Sequence, residues 1–309
     1  MRSVDALIER KLGSDVPLIR QIAKHIIAGG GKRLRPALVL LAAGCFGYKG
    51  TTHHDLAVVI EFIHTATLLH DDIVDESDLR RGRTTANAQF GNAPSVLVGD
   101  FLYSRAFQMM VSAGDTRVMS VLADATNTIA EGEVMQLLNT RNPCISELDY
   151  LEVIKRKTAK LFEAAAQIGA IIGGANADDE SSLARFGMHL GTAFQLIDDV
   201  LDYSGDSEET GKRLGDDLSE GKPTLPLIRV IQNGTQEQAN IVRKAIEHGG
   251  REDFPIVLEV IAASDAIAYA QDKARIEAQL ARDSIARLGQ STSRDCLLGL
   301  ANFAVARNH

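Results

Sequence analysis

The fold is decided by residues 54–76, HDLAVVIEFIHTATLLHDDIVDE. This segment has helical periodicity, and apolar residues cover most of its circumference. A helix that is apolar nearly all round lies in the interior of a protein rather than at its surface. The same pattern recurs over residues 160–175 and 186–201. The sequence therefore predicts several long central helices.

Almost every other segment also repeats apolar residues at helical spacing, and alternating strand patterns bounded by turn dipeptides are missing. We therefore predict an all-α fold, a single large bundle of long antiparallel helices around a central cavity, in which facing helices supply the site. We take residues 1–309 as one domain, because no Pro/Ser/Gly-rich linker, low-complexity tract or repeat interrupts them. The predicted helices cover residues 4–28, 36–47, 54–76, 94–112, 116–139, 147–173, 178–205, 223–232, 236–248, 265–288 and 294–306.

Composition narrows the classes of function. With 45% hydrophobic and 24% charged residues the chain is an ordinary globular protein, and its net charge of −8 argues against a nucleic-acid partner. Its 3 cysteines are scattered without metal-ligand spacing, which is typical of a reducing compartment. Residues 1–15 are charged throughout, unlike a signal peptide, and the apolar run 36–46 is too short to cross a bilayer. We expect a soluble, cytoplasmic protein that is not an integral membrane protein.

The chain carries two copies of D-D-x-x-D, DDIVD at residues 71–75 and DDVLD at residues 198–202. Residues four apart lie on one face of a helix, so the first and fifth residues of each copy present two carboxylates in one direction. Such charges repel unless a cation lies among them, and hard oxygen ligands favour Mg²⁺, which bridges to substrate phosphates. A solvated acidic helix end is the alternative, but two copies on the most hydrophobic helices favour a metal site for a diphosphate. The predicted metal ligands are Asp71, Asp72, Asp75, Asp198, Asp199 and Asp202.

A basic motif, GGGKRLRP, occupies residues 29–36. Glycines allow the backbone to approach a ligand closely, and Pro36 suits the first turn of the next helix. Backbone N–H groups at that helix start, together with Lys32, Arg33 and Arg35, would bind an anion. The alternative is a C-capping glycine followed by solvated basic residues.

Three further basic segments follow. RRGR at residues 80–83 comes shortly after the first aspartate cluster, and arginine forks bind phosphate oxygens in a bidentate manner. KRKT at residues 155–158 leads into an apolar helix. Residues 211–226 form a glycine-punctuated segment of the kind that closes a site, with Lys212 and Lys222 as candidate phosphate ligands. Each segment alone is equally typical of a solvated surface.

Together, GGGKRLRP, IHTATLLHDDIVDESDLRRG, KRKTAKLF, FQLIDDVLDY and GDDLSEGKPTLPL resemble, in this order, the motifs of the trans-isoprenyl diphosphate synthases. The resemblance runs from about residue 29 to 228 and continues less distinctly to the C-terminus. It implies a Mg²⁺-dependent prenyltransferase that adds isopentenyl diphosphate to an allylic diphosphate, such as farnesyl diphosphate, in successive 1'-4 condensations. It also implies a long product, an octaprenyl (C40) chain for quinone side chains, and a homodimeric enzyme.

The resemblance assigns roles to individual residues. The direct ligands of two or three Mg²⁺ ions would be Asp71, Asp75 and Asp198, and the supporting carboxylates would be Asp72, Asp199 and Asp202. The allylic diphosphate would be bound by Arg80, Lys157, Thr158, Gln195 and Lys212, with Lys222 nearby. The isopentenyl diphosphate would be bound by Lys32, Arg35, His64 and Arg81. The residues most directly involved in catalysis would be Asp71, Asp75, Asp198, Lys157 and Arg80.

Product length depends on the helix that carries the first cluster. Ala66 and Thr67, about one turn before Asp71, are small, whereas short-chain members of the family usually carry a bulky aromatic residue there. A growing chain would then pass between helices, with Met110 and Leu122 as a deeper floor. The alternative is that both are plain core residues.

Three other functions compete with a long-chain synthase. A medium-chain enzyme, making geranylgeranyl or hexaprenyl diphosphate, would share the same motifs. A class I terpene cyclase would need neither the basic motif at residues 29–36 nor a second D-D-x-x-D. A non-catalytic subunit of a heteromeric synthase would be expected to lose aspartates or basic ligands, which this sequence retains.

Overall fold

The computed structural model of the chain describes residues 1–80, 82–204 and 214–307, and it is built almost entirely of helices. The predicted phosphate ligands Arg81 and Lys212 lie outside the described residues. The first half contains α1 (Arg2–Lys11), α2 (Pro17–Ala28), α3 (Leu34–Cys45), α4 (Thr52–Val74), β1 (Leu79–Arg80), β2 (Arg83–Thr84), α5 (Ala86–Phe90), α6 (Asn92–Ser112), α7 (Thr116–Asn139) and α8 (Glu147–Ile154).

The second half begins with a π-helical turn that joins α8 to the next helix. Its elements are the π-turn (Lys155–Ala159), α9 (Lys160–Gly173), α10 (Ala177–Ser204), α11 (Asp216–Ser219), α12 (Leu225–Asn233), α13 (Gln236–His248), α14 (Phe254–Ala262), α15 (Ala266–Ser284) and α16 (Thr292–Ala306). The predicted all-α fold of helical-bundle type is confirmed.

The chain divides into two compact units, and both are discontinuous in sequence. The first unit contains Met1–Thr126, Leu161–Ala184 and Arg287–Leu297. The second contains Asn127–Lys160, Arg185–Ala286 and Leu298–His309. The single domain predicted for residues 1–309 stays a prediction.

Helix α4 forms the centre of the first unit. Every residue from 56 to 63 is buried, including the acidic Glu61, and Phe62 is only 1% exposed. The helix packs most extensively against α6 and also against α3 and α1. Burial on all sides explains why its sequence is apolar over most of its circumference. The central position predicted from residues 54–76 is therefore confirmed.

Two apolar clusters form the core of the second unit. One lies around Tyr203, Leu227 and Val242, on α10, α12 and α13. The other gathers side chains from α8, α10, α12 and α15, including Tyr150 and Leu196. Their burial holds α8 against α10, which carries the second aspartate cluster.

The structure corrects some predicted helix boundaries. The helix predicted over residues 4–28 is wrong as one element, because α1 ends at Lys11 and α2 begins at Pro17. Gly13 and Pro17 explain this break, since glycine weakens a helix and proline favours its first turn. The sequence prediction also missed α14. It missed β1 and β2 as well, because strands of two residues are too short to show a periodic pattern.

Among the residues that the structure describes, no single helix is long and apolar enough to span a membrane. The pair Phe254–Ala262 and Ala266–Ser284, bent by 71°, meets the length and composition criteria only when the two helices are taken together.

Candidate active site

The first aspartate cluster lies at the C-terminal end of α4, in the first unit. Asp75 caps the helix, and its backbone N–H donates to the carbonyl of Asp71 at 2.8 Å. The two residues are therefore one helical turn apart, as the sequence predicts. Both are half-buried, whereas Asp72 between them is only 3% exposed. The cluster thus contains two accessible carboxylates and one buried one.

Asp72 is paired with Arg80. The guanidinium donates to Asp72 Oδ1 from Nε at 2.7 Å and from Nη2 at 2.6 Å. Burial raises the pKa of Asp72, and the positive charge of Arg80 opposes this rise. In this arrangement Arg80 is fixed beside the cluster, and Asp72 acts as its anchor.

The segment after α4 is held back against the helix end by hydrogen bonds. Asn87 Nδ2 donates to the carbonyl oxygens of Asp72 at 3.1 Å and Ser77 at 3.2 Å. Thr85 Oγ1 donates to the same Ser77 carbonyl at 2.7 Å. These contacts close the hairpin in which Arg80 pairs with Arg83. The hairpin thus holds Arg80 next to Asp72.

The basic motif of residues 29–36 reaches α4 through its arginines. Arg35 Nη1 lies 3.1 Å from His64 Nε2, and its guanidinium stacks 4.3 Å from the centroid of the Phe162 ring. Arg33 instead pairs with the buried Glu61. Arg33 therefore has a structural partner, while Arg35 and His64 form a polar pair next to the first cluster.

The first unit contains a cleft with an open volume of about 640 Å³. Its polar wall includes predicted site residues from three segments, namely Gly29, Gly30, His64, Asp72 and Arg80. Arg83 of the RRGR motif lies in the same wall, together with one ionisable residue that sequence reasoning missed, His25. His25 Nε2 lies 2.7 Å from the Thr84 carbonyl, a contact across 59 residues that no local pattern reveals.

Lys32, by contrast, is exposed, and it does not line this cleft. Its role in binding isopentenyl diphosphate stays a prediction.

The predicted chain-length residues lie in the interior of the first unit. Ala66, Met110 and Leu122 are 0%, 2% and 0% exposed. Thr67 donates its hydroxyl to the His64 carbonyl at 2.8 Å, so its polar group is satisfied along the helix. Since burial is expected of core residues and of a tunnel floor alike, the assignment stays a prediction.

The second aspartate cluster lies on α10, in the second unit, and each of its carboxylates has a different partner. Asp198 Oδ1 accepts from Arg307 Nη2 at 2.7 Å. Asp202 accepts from the backbone N–H groups of Asp216 and Asp217, both at 3.2 Å. Asp202 therefore helps to hold the start of α11. Directly after α11, Lys222 pairs with Glu220 at 2.6 Å.

Asp199, the middle residue of this cluster, is buried at 2% exposure. It accepts from Tyr150 Oη at 2.5 Å and from Gln195 Nε2 at 2.7 Å. Burial raises the pKa of Asp199 and the nearby charge of Asp217 adds to the rise, whereas the hydrogen bonds from Tyr150 and Gln195 lower it. Sequence reasoning identified Gln195 but missed Tyr150, which is 49 residues away from its partner.

Lys157 and Thr158 lie in the π-helical turn Lys155–Ala159, also in the second unit. Lys157 Nζ pairs with Glu133 at 2.5 Å, and Thr158 Oγ1 donates to Gln195 Oε1 at 3.0 Å. π-Turns are rare and occur frequently at functional sites. Helix α7 approaches this turn at Gly132, where an added Cβ would lie 2.6 Å from the Lys157 backbone nitrogen.

The carboxylates present fit a hard divalent cation. Their donors are all oxygen, and the residues predicted to bind directly, Asp71, Asp75 and Asp198, are partly accessible. Across residues 1–80, 82–204 and 214–307, no three acidic, histidine or cysteine side chains form a ready-made metal cage. Mg²⁺ usually binds through one or two carboxylates, waters and substrate phosphates, so the accessible carboxylates of each cluster suit it.

The sequence matches a known family. Residues 16–261 match the family model described as polyprenyl synthetase. The chain therefore belongs to this family of prenyl-transferring enzymes.

Similar proteins match the chain from end to end. It is 53% identical over 309 residues to the octaprenyl diphosphate synthase of Escherichia coli, a match that covers 100% of this chain and 96% of the relative. A solved polyprenyl synthase from Caulobacter crescentus, complexed with calcium and isoprenyl diphosphate, is similar with a TM-score of 0.97, 43% identity and coverage of 100% and 95%. A decaprenyl diphosphate synthase from Rhodobacter capsulatus is similar with a TM-score of 0.94, 44% identity and coverage of 100% and 96%.

Proposed function

We propose that the protein is a long-chain all-trans polyprenyl diphosphate synthase that makes octaprenyl (C40) diphosphate. The observation that carries the proposal is the end-to-end similarity to an octaprenyl diphosphate synthase. Retention of both D-D-x-x-D clusters supports it, since a non-catalytic subunit would be expected to lose ligands. The product would serve as a quinone side chain, and the three free cysteines agree with a cytoplasmic, reducing environment.

The metal ligands in this proposal are divided by their surroundings. Asp71, Asp75 and Asp198 would bind Mg²⁺ directly, because Asp72 and Asp199 are buried and hydrogen-bonded to protein donors. The supporting carboxylates would be Asp72, Asp199 and Asp202. When bound, two or three Mg²⁺ ions would neutralise the charge that develops on the diphosphate leaving group.

The basic residues would bind the two substrates. The allylic diphosphate would be held by Arg80, Lys157, Thr158, Gln195 and Lys212, with Lys222 nearby. The isopentenyl diphosphate would be held by Lys32, Arg35, His64 and Arg81. The support for this division is that Arg35 pairs with His64 beside the cleft of the first unit, whereas Thr158 and Gln195 are hydrogen-bonded to each other in the second.

The reaction follows from this charge distribution. The allylic C–O bond breaks, and the bonding electrons leave with the diphosphate, whose negative charge the lysines and arginines stabilise. The double bond of isopentenyl diphosphate then forms the new C–C bond with the allylic cation, and a proton is lost to the departing diphosphate. The protein residues bind, orient and exclude water, because water would react with the cation. Each cycle extends the product by five carbons.

Product length in this proposal depends on the interior of the first unit. The small side chains of Ala66 and Thr67 would let the growing chain pass below the first aspartate cluster. Met110 and Leu122, both buried, would form the floor that stops it.

A homodimer is also part of the proposal, and an exposed apolar face supports it. On α6, Leu97 and Val111 are 66% and 59% exposed, and Val96 and Phe107 lie within the same arc of about 100°. Large exposed apolar side chains that recur along one arc of a helix, here with the exposed polar residues Asp100 and Ser104 between them, are typical of an interaction surface. Substitution Leu97→Glu should shift the protein from dimer to monomer in analytical ultracentrifugation, and a wild-type monomer would contradict this part of the proposal.

The activity is tested by elongation. Purified protein is incubated with Mg²⁺, farnesyl diphosphate and labelled isopentenyl diphosphate, and the products are sized. We expect products up to C40, and loss of elongation in the presence of EDTA that excess Mg²⁺ restores. Products that end at C20 or C30 would indicate a medium-chain enzyme. Absence of elongation by the protein alone would indicate a subunit that needs a partner.

A further inference from the structure

Tyr150 is a buried polar residue of α8 to which the sequence assigns no role. Its side chain lies in the apolar cluster with Ile154, Leu196 and Val200, and the residue is only 5% exposed. Its hydroxyl nevertheless donates to Asp199 Oδ2 at 2.5 Å. A hydroxyl placed in an apolar core is unfavourable unless it is hydrogen-bonded, so this contact determines where Tyr150 can lie.

Asp199 needs this donor because it is itself buried. Tyr150 donates to one carboxylate oxygen, and Gln195 Nε2 donates to the other at 2.7 Å. Each oxygen of the carboxylate therefore has a donor from the protein. Loss of either donor would leave a buried carboxylate with fewer hydrogen bonds, which is strongly unfavourable.

The same contacts fix the orientation of the Gln195 amide. Its Nε2 must point to Asp199, since a carboxylate accepts and cannot pair with the amide oxygen. Its Oε1 then accepts from the Thr158 hydroxyl at 3.0 Å. A reversed amide would place acceptors against each other at Asp199. Tyr150 and Thr158 are thus the two ends of a hydrogen-bonded chain in which Asp199 accepts from Tyr150 on one side and from Gln195 on the other.

We propose that Tyr150 is a positioning residue of the allylic diphosphate site, acting through Asp199 on the orientation of Gln195 and Thr158. The inference rests on the proposed function, in which Gln195 and Thr158 bind the allylic diphosphate. Tyr150 touches neither substrate in this role, and its effect is transmitted by hydrogen bonds within the second unit.

The test compares Tyr150→Phe with Tyr203→Phe. Both substitutions remove one hydroxyl and keep the ring, and Tyr203 is equally buried at 3% exposure. The hydroxyl of Tyr203 lies 3.1 Å from Thr224 Oγ1, a neutral group, so this variant controls for the loss of a buried hydrogen bond. Circular dichroism and urea unfolding show that both variants are folded and how much stability each has lost.

Two measurements then report on the site. Calorimetry with pyrophosphate and Mg²⁺ gives the diphosphate affinity, and steady-state kinetics separates KM for farnesyl diphosphate from KM for isopentenyl diphosphate. Tyr150→Phe should weaken pyrophosphate binding and raise KM for farnesyl diphosphate by about tenfold, the effect of one hydrogen bond to a charged group. KM for isopentenyl diphosphate should stay within about twofold, and Tyr203→Phe should change neither quantity.

A double-mutant cycle tests the route of the effect. If Tyr150 acts through Thr158, then Tyr150→Phe combined with Thr158→Val should weaken pyrophosphate binding by less than the product of the two single effects. Wild-type pyrophosphate affinity in Tyr150→Phe, an equal loss in Tyr203→Phe, or full additivity would each overturn the inference while leaving the proposed function intact. A wild-type protein that neither binds pyrophosphate nor elongates would overturn both.

Discussion

Substitution Gly132→Ala tests whether close packing of α7 on the π-turn positions Lys157, which we propose to bind the allylic diphosphate. The added Cβ would lie 2.6 Å from the backbone nitrogen of Lys157 and 2.9 Å from Arg156 Cβ. The nearest atom is backbone, so a flexible side chain cannot relieve the clash. An ordinary contact begins at 3.4 Å, so the two segments must separate by about 0.8 Å, the difference between 3.4 and 2.6 Å.

This shift should change the stability of the fold only slightly and the catalytic rate strongly. Overpacking destabilises a core by about 1–3 kcal/mol, and the better helix propensity of alanine offsets up to about 1 kcal/mol of that loss. A net loss of about 0–2 kcal/mol in the free energy of unfolding is expected. Misplacement of a positioned group by about 1 Å lowers the rate by about 100-fold, so a shift of this size should lower kcat/KM for farnesyl diphosphate by about 10- to 100-fold.

Steady-state kinetics and urea unfolding measure the two effects, and two glycines serve as controls. Gly299 lies on α16 with open space around its Cβ position, so Gly299→Ala should leave activity unchanged and stability equal or slightly higher. A Cβ added at Gly169 would lie 2.6 Å from the Val39 carbonyl oxygen in the first unit, so Gly169→Ala should lower stability without displacing the π-turn. The reasoning is refuted if Gly132→Ala keeps kcat/KM within about twofold of the wild type while losing as much stability as Gly169→Ala.

Three further predictions concern product length, metal affinity and helix capping. Ala66→Phe should shorten the products and Met110→Ala should lengthen them, which chromatography of the dephosphorylated products would measure. Unchanged lengths in both variants would rule out a product tunnel below the first aspartate cluster. Arg307→Gln should strengthen binding of Mg²⁺ with pyrophosphate by about two- to fivefold in calorimetry, because it removes the cation 2.7 Å from the partly exposed Asp198. Equal or weaker binding would contradict the idea that Arg307 competes with Mg²⁺ for Asp198. Ser146→Ala should lower the free energy of unfolding by about 1 kcal/mol, because its hydroxyl caps α8 at the Asp149 N–H, and an unchanged urea midpoint would contradict that.

The main helices could be predicted from sequence because their pattern is local. The apolar circumference of residues 54–76 identified a central helix, and residues 56–63 are all buried. The spacing of Asp71 and Asp75 placed both on one helical turn, which the hydrogen bond between them confirms. Prediction failed where the local signal is weak, at the break before Pro17 and in the short helix Phe254–Ala262.

The π-turn Lys155–Ala159 could not be predicted from the sequence either. It lies within a continuous helical pattern, and its widened turn faces Gly132 on another helix. An isolated glycine in a helical pattern lowers the stability of the helix only slightly, so the sequence does not show why Gly132 is a glycine. The packed structure shows it, because the backbone of the π-turn leaves no room for a side chain there.

The sequence by itself determined the helical class, the two aspartate clusters and the basic residues that suit a diphosphate. Only the tertiary structure decided which partner each charged group has, such as Arg307 for Asp198 across 109 residues and Arg33 for Glu61 across 28. The physical reason is that periodicity reports which face of a helix is buried, whereas the partner of a buried charge depends on which helices pack together. The carboxylates of one motif therefore have unlike surroundings, although their residue type and spacing are the same.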